Sequence, residues 1–130
     1  MENKQVKLGI IGAMDVEVAT LMDHTQDAVL SERAGMRFCE GTLAGMPVVI
    51  AKCGVGKVSA GMCVQAMCDL YGVTHIVNTG VAGSLDAQID IADLVVSTDA
   101  LYYDVDVTPW GYESGQLPGM DCLAFPADPT

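Results

Sequence analysis

The chain has 130 residues, 51% hydrophobic and 5% aromatic, which is long enough for one mainly aliphatic core and too apolar for intrinsic disorder. Its 6 basic and 17 acidic residues give a formal net charge of −11. All the Lys and Arg lie within residues 1–57, so residues 58–130 offer no cations for nucleic acid or an anionic membrane surface.

No apolar run approaches the ~20 residues of a membrane helix. Residues 1–7 lead straight into a strand-like run without a secretory signal pattern. The 5 Cys are odd in number and lack C-x-x-C spacing, which points to buried reduced thiols in a cytoplasmic protein.

Val6 to Ala13 is a short apolar run that reads as a strand buried on both faces. Asp15 is the expected N-cap of a helix in which Val16, Ala19 and Met22 share a face. Arg37 to Leu43 and Pro47 to Lys52 flank Ala-Gly-Met and predict an antiparallel hairpin. Val58 to Tyr71 predicts a helix ended by Gly72. Its stripe of Val58, Met62, Ala66 and Leu70, with Cys63 and Met67 beside it, reads as core packing. Thr74 to Asn78 and Leu94 to Thr98 predict further strands, the first buried and holding His75 as a buried neutral residue. Phe125 to Thr130 reads as loop.

This order predicts an α/β fold, with a mainly parallel or mixed central sheet flanked by helices. Residues 1–130 then form the N-terminal portion of a single domain, one with fewer strands than doubly wound sheets usually have. Ligands in such sheets sit at the carboxyl ends of the strands. Three candidate ends carry small residues: Gly12 to Glu17, Cys53 to Lys57 and Gly80 to Ser84. None is a phosphate loop. Lys57 is followed by Val58 rather than Ser or Thr, and the Gly54-x-Gly56 turn is followed by Ser59 where a dinucleotide fingerprint needs Gly.

Glu17 can act as a general base if its strand-to-helix corner desolvates it and raises its pKa. The residues alone favour a helix N-terminal carboxylate stabilised by the dipole. Residues 102–112 hold four aromatics beside Asp104 and Asp106. Trp110, between Pro109 and Gly111, suits an interface better than a satellite core. Asp104-x-Asp106 lacks the rest of a calcium loop.

Four ordered segments together resemble the 5′-methylthioadenosine/S-adenosylhomocysteine nucleosidases of the nucleoside phosphorylase superfamily. They are Gly9 to Met14 followed by Glu17-Val18, Lys52 to Val58, Asn78 to Ser84, and Asp104 to Tyr112 with Gly115 to Gly119. The resemblance implies hydrolysis of the N-glycosidic bond of those nucleosides to adenine and a thio-ribose, without a cofactor. It implies that Glu17 orients and deprotonates the attacking water, with Ala13 and Met14 bordering sugar and water. Val55 would line the 5′-thio pocket, Val81 would stand near the water or sugar, and Ala82 and Gly83 would lie against the purine. Trp110 and Pro118 would reach into a partner subunit's pocket, which implies a homodimer.

The sequence departs from that pattern at Val81, where many relatives carry Ser, and at Tyr103, which replaces a usual His. Family chains are nearly twice as long. The resemblance therefore implies that the ribose-gripping Met-Glu pair and the purine-protonating Asp come from elsewhere, for instance a C-terminal complementing fragment. Two other readings stay open from the residues: a purine nucleoside phosphorylase-like enzyme, and a non-catalytic nucleoside-binding or interaction domain. The acidic Asp15/Glu17 corner speaks against phosphate.

Overall fold

The computed structural model describes residues 5–129, which divide into two compact units at Gly83/Ser84. The first is an α/β unit built on one mixed five-stranded sheet. Its elements are β1 (Leu8–Gly12), α1 (Asp15–Asp23), β2 (Gln26–Arg33), β3 (Met36–Leu43), β4 (Met46–Lys52), α2 (Lys57–Tyr71) and β5 (His75–Asn78). The strand order is β2-β3-β4-β1-β5. β1 lies parallel to both β4 and β5, with Ile10 opposite Ile50 and Val77. β2, β3 and β4 form an antiparallel meander.

The β4 sequence explains the core. Successive side chains of a strand point to opposite faces, and Met-Pro-Val-Val-Ile-Ala-Lys is apolar on both. Val49 and Ala51 join Phe38, Ile11, Cys63 and Met67 under α2. Val48 and Ile50 join Ile10, Cys39 and Val18 under α1. The flat apolar runs of β1 and β4 are thus strands with a helix on each side. A Cβ on Gly9 would stand 2.8 Å from Met67 Sδ and 2.7 Å from Ile76 Cδ1. Its bare backbone is what lets α2 and β5 pack so closely on β1.

Several expectations need correcting. The N-cap of α1 is Met14, and Asp15 is the first helical residue. The packed face of α1 is Val18, Leu21 and Met22, while Val16 is 81% exposed. On α2 the buried residues are Cys63 and Met67, and Val58, Met62 and Leu70 are exposed. The true stripe is offset because Cys63 and Met67, four residues apart, are the pair that meets Phe38 and Ile11. β5 is an edge strand with Ile76, Val77 and Asn78 exposed and His75 only half-buried. Cys39, Cys53 and Cys63 are buried, but Cys68 and Cys122 are exposed.

β2 is an element the sequence reading omits. Its residues are mostly exposed, so it lacks the apolar alternation that marks a half-buried strand. A turn signal was present nonetheless. Ala34-Gly35 and Ala44-Gly45 both have positive φ at both positions, the geometry of a tight two-residue hairpin turn.

The second unit, Ser84–Thr130, is loop-rich. β6 (Asp99–Leu101) pairs antiparallel with β7 (Ala124–Pro126), and a short 3₁₀ turn spans Thr108–Trp110. Tyr102 and Phe125 meet edge to face at 6.1 Å. Leu94 to Thr98 is not a strand here, and the pairing starts at Asp99 instead. Leu94 and Val96 are 92% and 84% exposed. With no ladder partner and no apolar cover, their β-branched run stays irregular. Phe125 and Pro126, expected as loop, belong to β7.

Among the described residues no helix is long and apolar enough to cross a membrane.

Candidate active site

The parallel β4-β1-β5 arrangement brings the carboxyl ends of three strands to one side of the first unit. The ladder continues past the strands on both flanks. Cys53 N–H donates to the Gly12 carbonyl at 2.9 Å, and Thr79 N–H donates to the Ile11 carbonyl at 2.9 Å. The three small-residue turns are therefore neighbours, although they are far apart in sequence.

Glu17 lies between two of these turns, its own β1–α1 corner and the Thr79–Val81 turn. It is the third helical residue of α1, and its Oε2 accepts from the Met14 N–H at 2.9 Å. This half of a capping box ties the carboxylate back across its own helix start. Its Oε1 accepts from Val81 N–H, 64 residues away, at 3.2 Å. Both donors favour the charged form. They hold Glu17 below the ordinary carboxylate range, Met14 N–H first and Val81 N–H next, against a weaker opposing effect of burial. The expected rise by desolvation is thus reversed, because two backbone dipoles outweigh partial burial. The result is an anionic acceptor at the helix start, where the helix dipole also favours it.

The other predicted residues divide by place. Ala13 and Met14 form the loop between β1 and α1, Ala13 half-buried and Met14 exposed. Val81 is tied to Glu17 through its backbone, while its side chain is 84% exposed. Ala82 and Gly83 follow it and are exposed. Val55, 79% exposed, lies between Gly54 and Gly56, both with positive φ. Trp110 and Pro118 belong to the second unit and are exposed.

Sequence reasoning missed two features of the corner. Lys52, at the end of β4, donates to Asp15 Oδ2 at 2.7 Å, so the acidic corner is partly neutralised. The other is the donor role of Val81 N–H, which a side-chain motif cannot reveal.

In the second unit, Asp106 accepts from the Thr108 hydroxyl at 2.8 Å and the Thr108 N–H at 3.1 Å. The hydroxyl first, then the N–H, hold it below the ordinary carboxylate range. That makes it a poor proton donor near neutral pH. Among the described residues no three His, Cys, Asp or Glu side chains are grouped to hold a metal ion.

A mixed sheet flanked by two helices, with an anionic glutamate at the carboxyl end of its central parallel strand, defines the class. Residues 7–130 match the model of the phosphorylase superfamily, and the chain belongs to that family. Within it, the chain is 46% identical over 123 residues to the 5′-methylthioadenosine/S-adenosylhomocysteine nucleosidase of Colwellia psychrerythraea, covering 95% of this chain and 51% of that protein. It is 40% identical to the nucleosidase of the same description from Shewanella frigidimarina, covering 96% of this chain and 54% of that one. The crystal structure of the Colwellia nucleosidase in complex with adenine superposes with a TM-score of 0.90, covering 95% of this chain and 50% of that one. The Streptococcus pneumoniae nucleosidase with a transition-state inhibitor gives 0.91 at 36% identity, covering 95% and 54%. The chain spans about half the length of the relatives it matches.

Proposed function

We propose that this chain supplies the water-activating part of an N-glycoside hydrolase site that cleaves 5′-methylthioadenosine and S-adenosylhomocysteine. One observation carries the reading. Glu17, beside the carboxyl end of β1 and only half-buried, has its two carboxylate oxygens fixed in place by the Met14 and Val81 N–H groups, so a water-orienting carboxylate is positioned between two of the small-residue turns. The Colwellia relative binds adenine, and the pneumococcal one a transition-state inhibitor.

In the reaction the C1′–N9 bond lengthens first, and the sugar gains oxocarbenium character. Glu17 orients a water and takes its proton as the oxygen bonds to C1′. The bonding pair of C1′–N9 leaves with the purine, which must be protonated as it departs. The anionic Glu17 also stabilises the developing positive charge on the sugar. In this reading Ala13 and Met14 border the sugar and water, with Val81 beside them. Val55 lines the 5′-thio pocket, and Ala82 and Gly83 lie against the purine.

Trp110 and Pro118 reach into the partner subunit's 5′-substituent pocket, so the assembly is a homodimer. We place the protein in the cytoplasm, in methionine salvage. The leaving-group acid is assigned to a complementing C-terminal segment, since Asp106 is committed to Thr108.

Adenine release is the test, on a sample whose intact mass is verified. Without a leaving-group acid, turnover should fall ~10²–10⁴-fold below that of a full-length relative. Adding the second half of the Colwellia nucleosidase should raise it. Glu17→Gln in that mixture should abolish it while nucleoside binding persists. Turnover unaffected by Glu17→Gln would sink the reading, and phosphate-stimulated turnover would replace it with a phosphorylase.

A further inference from the structure

The carboxylate of Glu17 is held in place from outside its own helix by the turn that succeeds β5. Val81 N–H reaches Oε1 at 3.2 Å, and the residue before it is Gly80. A Cβ placed on Gly80 would stand 2.5 Å from Glu17 Oε1, 2.9 Å from Cδ and 3.4 Å from Oε2. Every one of its nearest neighbours is thus an atom of the same carboxylate. Real Cβ atoms do not approach an oxygen to 2.5 Å, so any side chain here and the present position of Glu17 exclude one another. Thr79 N–H, bound to the Ile11 carbonyl, ties the start of the turn to β1, and the atoms a Cβ would meet are the tip of the flexible Glu17 side chain, so it is the carboxylate that must give way.

We propose that Gly80 is a positioning residue for Glu17: its missing side chain lets the Thr79–Val81 backbone close on the carboxylate and deliver the Val81 N–H to Oε1. The two donors then fix the carboxylate at both oxygens, one from the helix start and one from the next strand's turn. With the carboxylate pushed away from the turn, Glu17 loses the Val81 N–H and keeps only donors of its own helix start, Met14 and Ala13. The inference deepens the proposed function, since the fixed carboxylate is the one assigned to water activation, but it concerns position and not turnover.

Few charged groups surround this contact. On α1 the neighbour is Asp15, ion-paired to Lys52 of β4. β1 and the Thr79–Val81 turn have no titratable side chain.

The test is a double-mutant cycle on this chain, with the Glu17 carboxyl followed by carbon-13 NMR. Gly80→Ala should lower the denaturation midpoint through two costs, the strain of an L-residue at φ 159° and the clash with the carboxylate, and only the second should vanish when Glu17→Ala is also present. In Gly80→Ala the Glu17 titration should move upward, towards the ordinary range, because the Val81 donor is lost. Gly61→Ala, where a Cβ meets nothing within 4 Å, should leave that titration unchanged. An equal stability loss with and without the Glu17 side chain would overturn the proposal. So would an unshifted Glu17 titration in a folded Gly80→Ala. If Gly80→Ala alone fails to fold, the double variant decides: folding with Glu17→Ala supports the inference, and failure there rejects it. Adenine release plays no part, so the nucleosidase reading can fail independently.

Discussion

Glu17→Gln keeps an oxygen to accept from the backbone N–H groups but removes the charge those groups stabilise. The consequence for stability has a definite sign. A carboxylate whose folded pKa lies below its unfolded value binds its proton more weakly when folded. Its contribution is therefore present above the unfolded pKa and is lost as pH falls through the lower, folded value. Glu17 is such a group. The stability gap between wild type and Glu17→Gln should be widest at neutral pH and should close on acidification, read by denaturant titration across the acid range. A gap independent of pH would mean that the two N–H bonds do not act on the charge. For Lys52 and Asp15 the expected effect is smaller. Their ion pair is exposed, and Lys52→Met should cost under about 1 kcal/mol, since exposed pairs contribute little against solvent screening.

Among the elements, α2 shows how position rather than composition decides burial. Met62 and Met67 lie on the same helix, yet one is 53% exposed and the other fully buried. Met67→Ala should therefore cost about 2–5 kcal/mol through lost contacts and a residual cavity. Met62→Ala should stay near the ~0.5 kcal/mol of ordinary surface changes. Urea denaturation of the two variants checks the ranking, and equal losses would contradict the packing. The helix ends at Gly72, which is left-handed at φ 65° and donates to the Met67 carbonyl. An alanine there must adopt a conformation that costs an L-residue about 1–2 kcal/mol, so Gly72→Ala should lower the denaturation midpoint without altering Glu17.

At the scale of the whole molecule the two units differ in how they are stabilised. In the first, the sheet and two helices close two apolar clusters around β4. In the second, Gly115 is the one buried residue among those described. Opening free energies scale with buried contacts and protected backbone bonds. Amides of β1 and β4 should exchange slowest, and those of residues 84–98 fastest, in hydrogen-exchange mass spectrometry. If residues 84–98 were as protected as β4, a cover on Leu85, Ile91, Leu94 and Val96 would have to exist in solution, and a self-associated state would be its first explanation.

Local pattern alone accounts for part of this molecule. The runs at β1 and β4, the β3-β4 hairpin, the span of α2 and its glycine stop are written in hydrophobicity, turn chemistry and spacing, all short-range properties. The family likeness was legible too, because the glycine turns and Glu17 keep their order along the chain. Long-range packing settles the rest. It chooses which helical stripe is buried, since several stripes of α2 are apolar and only packing on Phe38 and Ile11 selects Cys63 and Met67. It makes β2 a strand, since an exposed edge strand takes its shape from the ladder of β3 rather than from its own side chains. It also supplies the Val81 N–H, 64 residues from Glu17, which adds to the local Met14 N–H in lowering the Glu17 pKa, and a peptide donor leaves no trace in the identity of the residue that carries it.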